Sequence, residues 1–303
     1  MRRPLALAAW LGLIAAAVLV PPLLGDYGVA VALSLAMWVA LAESWIVLSG
    51  MTGYVSLGHA VFYGLGAYVG VLLWNTVPSG FAIIAAGIAS GGFAVIIGYP
   101  ALRVRGPYFV MLTFGVAELV KYVVIDLEAG LGVFSRLILG GPSVIVLYYV
   151  MLCLAAAATA ITFLVGRSRF GYALRAIREN EAAAETIGIA VGRFKLAAFA
   201  LSAVIPGMVG AVAVARSTYF EPLSAFDPVV SFTMVTMAVI GGSDDLRGPL
   251  LGAAFLVGLS ELLWANAPQI YMIILGVLLA IFVLFAPEGI AGRLFVPARR
   301  AVS

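Results

Sequence analysis

The chain of 303 residues is 64% hydrophobic and only 10% charged, and its mean hydropathy is +1.16. This balance excludes an ordinary soluble globular domain and predicts a protein that crosses a membrane several times. The formal charge of +3 comes without a basic patch interleaved with aromatic residues, so nothing in the composition indicates nucleic-acid binding. We expect residues 1–303 to form a single transmembrane domain embedded in the lipid bilayer.

Apolar runs close to the ~20 residues that a helix needs to cross a bilayer recur along the whole chain. They predict an all-α polytopic membrane protein with about ten transmembrane helices, some of them short or broken. The first run resembles a signal peptide, but no small-residue cleavage site precedes Asp26, so we interpret it as a retained span. The predicted spans are 4–24, 28–49, 56–74, 81–101, 107–126, 143–166, 194–216, 228–242, 246–265 and 269–286.

The basic residues are distributed unevenly between the two sides of this topology. If the N-terminus is cytoplasmic, fourteen of the 17 basic residues face the cytoplasm and only Lys121, Arg136 and Arg216 lie outside. The positive-inside rule favours this orientation over its inverse. Both termini are therefore predicted to be cytoplasmic.

Residues 167–192 form a polar segment between two apolar spans and are predicted to be a cytoplasmic loop. Neither proline nor glycine occurs from Tyr172 to Ile187, which predicts one helix, and Gly188 follows where a helix ends in the left-handed conformation. The expected ion pairs are Arg175 with Glu179 and Arg178 with Glu181. Helical spacing places an apolar stripe on one face, formed by Ala173, Ala176, Ile177, Ala184 and Ile187. The residues alone leave two interpretations open: a helix lying on the membrane surface, or a docking helix for a cytoplasmic partner.

Four blocks of the sequence carry a resemblance. Glu181-Ala182-Ala183 followed by Gly188 is close to the E-A-A then G signature of ABC importer permeases, with one extra residue before the glycine. The blocks are FGYALRAIRENEAAAETIGIAVGRFKLAAF at 170–199, GMTGYVSLGHAVFYGLGAYVGVLL at 50–73, LRVRGPYFVMLTFGVAELV at 102–120 and VIGGSDDLRGPLLGAAFLVGLSELL at 239–263. Taken in their order along the chain, the blocks resemble the LivM-type permeases of branched-chain amino acid importers.

The resemblance implies a non-catalytic translocation subunit in a bacterial inner membrane. Its implied partners are a second permease of the LivH type, two cytoplasmic ATPases that hold ATP and Mg²⁺, and a periplasmic binding protein. The chain itself has no G-x-x-x-x-G-K-[ST] phosphate loop, since neither of its lysines follows such glycines, so we expect it to bind no cofactor. The implied ATPase-coupling residues are Arg175, Arg178, Glu179, Asn180, Glu181 and Gly188.

Candidate pathway residues cluster at a predicted helix break and at polar positions inside the spans. They are Glu43, Tyr54, Ser56, His59, Phe62, Tyr63, Tyr108, Thr113 and Glu118. Carboxylates at membrane depth are costly, so we expect them to face protein or water. Structural alternatives stay open: a hydrogen-bonded His59, aromatic rings packed on glycine faces, Glu118 paired with Lys121, and Glu43 bonded to a serine or to another helix's backbone.

Two other functional classes compete with an ABC permease. An ion-coupled secondary transporter would use Glu43, Glu118 and His59 as a relay and would need no ATPase dock. A membrane-embedded enzyme is disfavoured, because the chain has no paired-histidine or Cys/His metal spacing. Substrate identity also stays open, because residues 128–143 replace a threonine and glycine-rich segment of many relatives, and similar permeases carry urea, short amides or aromatic acids.

Overall fold

The structure is a computed structural model and describes residues 20–133, 135–138, 140–217, 219–242 and 247–266, together with 273–274, 276–277, 280 and 289–291. Most of the predicted spans 4–24 and 269–286 lies outside these residues. The predicted number of about ten spans therefore stays a prediction.

The described residues are almost entirely helical, with one pair of two-residue strands. The helices are α1 (Val20–Thr52), α2 (His59–Leu73), α3 (Ser79–Ala101), α4 (Pro107–Gly130), α5 (Val144–Arg167), α6 (Arg169–Glu179), α7 (Glu181–Thr186), α8 (Val191–Ser217), α9 (Pro222–Ala225), α10 (Pro228–Gly241) and α11 (Arg247–Asn266). The strands are β1 (Arg136–Leu137) and β2 (Tyr219–Phe220), paired antiparallel.

Six stretches within the described ranges are long and apolar enough to cross a membrane. They are Gly25–Thr52, Ser79–Ala101, Pro107–Gly130, Val144–Arg167, Val191–Ser217 and Pro222–Gly241. The apolar helix α2 is shorter, with 15 residues. These findings confirm an all-α polytopic membrane protein, and the predicted spans between 81 and 265 match observed helices to within a few residues.

Local sequence signals account for several helix boundaries. Gly106 adopts a φ of 60°, which favours glycine, and Pro107 then occupies the first turn of α4, where its missing N–H costs nothing. Asp227 accepts a hydrogen bond from the backbone N–H of Val229 at 2.9 Å, and Pro228 opens α10. A non-helical Gly25, with a φ of 62°, separates the first turns of α1 from the predicted second span.

Helix α8 is the centre of the bundle and packs against α1, α2, α3 and α5. Its contact with α2 brings two backbones together through glycine. A Cβ built on Gly66 would lie 2.0 Å from the carbonyl oxygen of Gly207, and one built on Gly210 would lie 2.0 Å from that of Tyr63. Small residues thus allow the close helix approach that replaces hydrophobic exclusion inside a membrane.

The two ends of the bundle carry different polar structures. At one end Arg136 of β1 pairs in register with Phe220 of β2. There Glu128 accepts two hydrogen bonds from Arg136 at 2.9 Å and one from the hydroxyl of Tyr68 at 2.7 Å. The opposite end carries α6 and α7 beside the connections that follow α1 and α3. The sequence groups Arg136 with Lys121 and Arg216, and Arg136 indeed lies at the other end of the bundle from Arg175 and Arg178.

The prediction of a single helix from Tyr172 to Ile187 is wrong. The structure has two helices, α6 and α7, separated by Asn180 in an extended conformation (φ −158°, ψ 108°). The side chain of Asn180 caps α7 by accepting a hydrogen bond from the N–H of Ala183 at 3.0 Å. Asparagine competes with helical backbone in this way, so it interrupts a run of otherwise strong helix formers.

Candidate coupling site and pathway

Helices α6 and α7, with Ile187 after them, are together called the coupling segment (169–187). Their ends are capped by Ser168, Asn180 and Gly188. The hydroxyl of Ser168 accepts a hydrogen bond from the N–H of Gly171 at 3.1 Å and begins α6. Gly188 ends α7 with a φ of 88°, as predicted. The N–H groups of Gly188 and Ile189 donate to the carbonyls of Glu185 and Ala184, which is a Schellman motif.

The coupling segment has one buried side and one exposed side. Leu174, Ile177 and Ala184 are at most 3% exposed and form its anchoring face. Tyr172 and Ile187 are 63% and 74% exposed on the other side. The predicted stripe is therefore right for Ile177 and Ala184 but wrong for Ile187, because the break at Asn180 changes the helical phase. It also omitted Leu174, the most buried apolar residue of the segment.

Two arginines fasten the coupling segment to neighbouring backbone. The guanidinium of Arg178 donates to the carbonyl of Gly50 at 2.7 Å, and that of Arg175 donates to the carbonyl of Gly166 at 2.7 Å. The predicted contact of Arg175 with Glu179 is thus replaced by a bond to the end of α5. Both arginines hold the segment against the bundle, while Glu179 and Asn180 are exposed beside them.

Glu181 of the E-A-A motif faces inward, into a polar cluster with Tyr54, Arg105 and Lys195. Its Oε1 accepts a hydrogen bond from Lys195 Nζ at 2.7 Å. Its Oε2 accepts one from the Tyr54 hydroxyl at 2.9 Å and lies 3.2 Å from Nε of Arg105. Burial opposes ionisation of this carboxyl, but the hydrogen bonds from Lys195 and Tyr54 and the charges of Lys195 and Arg105 outweigh it and hold the pKa of Glu181 below its usual value.

This lowered pKa predicts how the stability of the protein depends on pH. The ionised Glu181 stabilises the fold fully above the ordinary carboxyl pKa of 4.5, and this contribution is lost as pH falls through the lower folded pKa. We expect Glu181→Gln to lower Tm at pH 7, and the difference from the wild type to shrink below pH 4.5. Thermal unfolding of the purified proteins from pH 7 to below pH 4.5 measures this difference in Tm, with Glu179→Gln as an exposed control. A constant difference at all pH values would contradict the prediction.

The break predicted near Tyr54 is a connection from Gly53 to Gly58 between α1 and α2. Its backbone N–H groups are satisfied by side chains: Ser56 by Ser49 at 3.3 Å, Leu57 by Thr113 at 3.2 Å and Gly58 by Ser56 at 3.2 Å. At the start of α2, the N–H of Ala60 donates to Ser231 of α10 at 2.7 Å. Protein groups thereby satisfy irregular backbone between the two apolar helices.

His59 lies fully buried just inside this connection. Its Nδ1 lies 3.2 Å from the Ser56 hydroxyl and its Nε2 lies 3.2 Å from the Ser202 hydroxyl of α8. The rings of Phe62 and Phe199 contact the imidazole edge-on. Hydroxyl groups on both nitrogens fit the structural interpretation of His59 better than membership of an ion relay.

The remaining pathway candidates do not form one site. Glu43 is fully buried in α1, and its carbonyl accepts a hydrogen bond from Thr162 of α5 at 3.1 Å. Glu118 forms an ion pair with Lys121, as the structural alternative predicted. Tyr63 is half-buried, and Tyr108 is 71% exposed. The structure therefore brings together Ser56, His59, Phe62 and Thr113 around the start of α2, and leaves the others at separate places.

Sequence reasoning missed the partners that complete these clusters. Lys195 was assigned only to the cytoplasmic side, yet it is 3% exposed and meets Glu181, and Ser202 and Phe199 were not considered at all. The available signal was that Lys195 is the second residue of the predicted span 194–216, because a lysine buried at a span requires a partner. Ser202 gave no comparable sequence signal, because a serine in an apolar helix commonly bonds its hydroxyl to the backbone of its own helix.

Comparison with known proteins supplies the family. The family model described as the permease component of branched-chain amino acid transport systems matches residues 27–284. The LivM permease protein of the high-affinity branched-chain amino acid transport system is 28% identical over 288 residues in both Salmonella typhimurium and Escherichia coli, covering 84% of this chain and 67% of each relative. A probable LivH permease protein of branched-chain amino acid transport in Methanocaldococcus jannaschii is 26% identical over 266 residues, covering 83% and 78%. No solved structure matches the chain. The family-model match, over residues 27–284, includes the coupling segment and the bundle around it. The chain therefore belongs to the family of permease components of branched-chain amino acid transport systems.

Proposed function

We propose that the chain is the translocation subunit of an ABC importer that takes up branched-chain or related amino acids across a bacterial inner membrane. Separate cytoplasmic ATPases supply ATP hydrolysis with their own ATP and Mg²⁺, and this chain catalyses no reaction. A second permease, of the LivH type, completes the pathway, and a periplasmic binding protein delivers the substrate. Both termini face the cytoplasm.

The observation that carries this proposal is the two-sided coupling segment. Its inner face is fastened to the bundle by Leu174, Ile177 and Arg178, so a force applied from outside reaches the spans. Its outer face exposes Tyr172 and Ile187 among charged side chains at the end of the bundle where arginines gather. Exposed apolar residues rimmed by polar ones are typical of a protein interaction site. An ion-coupled transporter has no use for such a surface.

The lateral surface of the bundle supports a membrane position and a permease partner. Long apolar side chains point outward from α3 and α4, with Ile88, Ile96, Met111 and Leu119 between 61% and 70% exposed. Only lipid tails or another apolar surface can cover such side chains without cost. We assign this surface to the bilayer and, where the two subunits meet, to the second permease.

Reconstitution tests the proposal directly. The chain would be assembled in liposomes with the second permease, the ATPases and the binding protein of the same genome, and uptake of radiolabelled leucine, isoleucine and valine would be measured against urea, short amides and aromatic amino acids. We expect uptake that requires ATP and the binding protein and prefers the branched-chain amino acids. Uptake that persists without ATPases and follows a proton or sodium gradient would overturn the proposal in favour of a secondary transporter.

The docking surface has its own test. Ile187→Asp places a charge at the exposed residue that directly follows α7 without disturbing the core. We expect it to weaken ATPase binding to the purified permease pair by about tenfold or more, as loss of an interface anchor does. Leu223→Asp in α9, at the opposite end of the bundle, is the matched control because Leu223 is 58% exposed. Equal ATPase affinity for both variants would contradict the assignment.

A further inference from the structure

A polar cluster around a buried ion pair lies beneath the coupling segment and joins four separate parts of the chain. Tyr54 comes from the connection between α1 and α2, Arg105 from the connection between α3 and α4, Glu181 from α7 and Lys195 from α8. Lys195 Nζ donates to Glu181 at 2.7 Å, to the Tyr54 hydroxyl at 3.0 Å and to the carbonyl of Leu102 at 3.2 Å. All three ammonium protons therefore have an acceptor, and both carboxylate oxygens of Glu181 have a donor.

The burial of this cluster requires an explanation beyond stability. The side chains of Lys195 and Glu181 are only 4% and 14% exposed. Removing two charges from water costs about as much as their attraction returns, so a buried ion pair adds little net stability. The well-supported use of such a pair is to select one arrangement of the elements that carry it. Here the selected arrangement is that of α7 against α8 and the Gly53–Gly58 connection.

The cluster continues into the bundle through the same connection. Tyr54 lies next to Gly53, whose φ of 76° favours glycine and whose Cβ, if present, would lie 3.3 Å from Arg178 Cγ. The connection leads to Ser56, whose hydroxyl lies 3.2 Å from Nδ1 of His59, and Nε2 of His59 lies 3.2 Å from the Ser202 hydroxyl in the middle of α8. A displacement of α7 would therefore move the start of α2 through hydrogen bonds, and not through flexible loop alone.

We propose that Glu181 and Lys195 are positioning residues that transmit movement of the coupling segment to the Gly53–Gly58 connection and α2. Glu181 then acts inside the permease and makes no contact with the ATPase, although it belongs to the E-A-A motif. This inference rests on the proposed function and names the internal path by which the docked ATPase changes the permease. The bistable element is the ion pair, which holds one arrangement while it is formed and releases α7 from α8 when it opens.

The stoichiometry of transport tests this transmission. In the reconstituted transporter, Glu181→Gln and Lys195→Met are expected to lower substrate transported per ATP hydrolysed by about tenfold, while ATPase binding stays at the wild-type level. Tyr54→Phe removes one hydroxyl and keeps the ion pair, so it should fold and lower the same ratio to a smaller extent. Glu185→Gln, exposed on the same helix, is the control and should transport like the wild type. Lys195→Arg keeps the positive charge, so it should transport more substrate per ATP hydrolysed than Lys195→Met and come close to the wild type.

Several results would overturn the inference. A lower Tm with an unchanged ratio of transport to hydrolysis would reduce the cluster to a structural role. Loss of ATPase binding in Glu181→Gln would make Glu181 a docking contact. If the single variants do not fold, Glu181→Gln combined with Lys195→Met removes both charges together, and an unchanged ratio in it and in Tyr54→Phe would count against the proposal.

A second measurement is independent of the transporter's function. The chain has one cysteine, Cys153, so a Cys153→Ser background allows a single spin label at Val55→Cys, where the native side chain is 39% exposed. In the purified chain without ATPases, we expect Glu181→Gln and Lys195→Met to increase label mobility, and Glu185→Gln to leave it unchanged. Equal mobility in all variants would refute the mechanical link, whereas absence of ATP-driven uptake by the wild type would refute only the proposed function.

Discussion

Gly210→Ala is expected to prevent the chain from reaching its folded state. The new Cβ would lie 2.0 Å from the carbonyl oxygen of Tyr63 and 2.9 Å from the backbone N of Ala67, so α2 and α8 would have to separate. Overpacking in a core costs about 1–3 kcal/mol even where side chains can move aside. Here both sides of the contact are backbone, which cannot move aside in this way. Because α8 also packs against α1, α3 and α5, separation from α2 would propagate through the bundle.

The yield of monodisperse protein in detergent and its Tm measure this effect. Gly66→Ala should behave in the same way, because its Cβ would meet the carbonyl of Gly207 at 2.0 Å. Gly115→Ala in α4 is the matched control, since no heavy atom lies within 4 Å of its added Cβ and alanine favours a helix by up to about 1 kcal/mol. A Gly210→Ala protein with the wild-type yield and Tm would show that the two helices do not touch.

Arg136→Met is expected to produce the second large loss of stability. It would leave Glu128, which is 3% exposed, without the two hydrogen bonds at 2.9 Å that neutralise its charge. Removing one partner of a buried ion pair costs about 3–5 kcal/mol, and because the Arg136 side chain is 28% exposed we expect about 2 kcal/mol. The strand pair with Phe220 would lose its anchor to α4.

Thermal unfolding of two further variants separates the ion pair from general effects of losing an arginine. Arg216→Met is the matched control at the same end of the bundle, where Arg216 bonds to the Ser34 hydroxyl at 3.1 Å on the exposed surface. Arg136→Met combined with Glu128→Gln should be more stable than Arg136→Met alone, because no charge is then buried unpaired. If Arg136→Met alone were as stable as the wild type, water and not Arg136 would compensate the charge of Glu128.

The capping signal that the sequence offered acts over a few residues and was therefore reliable. Gly188 ends α7 in the left-handed conformation, as predicted, because this conformation depends on the glycine itself. The spans from 81 to 265 were found for a similar reason, since apolar length is a local property. Asn180 shows the limit: its extended conformation depends on a cap to Ala183 that competes with continued helix, and composition favoured the helix.

The polar clusters show what local reasoning lacks. The motif predicted Glu181 as a coupling residue, and in the structure it bonds to Tyr54, which lies 127 residues earlier. His59 meets Ser202 across 143 residues. Spacing along one helix indicates which residues share a face, but it gives no information on which helix lies opposite. Such contacts are set by the crossing of α2 over α8, which depends on glycines from both helices.

Hydropathy and the motifs were thus sufficient to predict a polytopic permease and a separate polar segment at residues 167–192, because each signal is read from residues close in the chain. The roles within that segment depended on tertiary structure. Packing turned Glu181 towards Lys195 and Arg178 towards the carbonyl of Gly50, and left Tyr172 and Ile187 outside. A charged side chain becomes an internal link only where distant elements exclude water and supply its partner, as Lys195 does for Glu181.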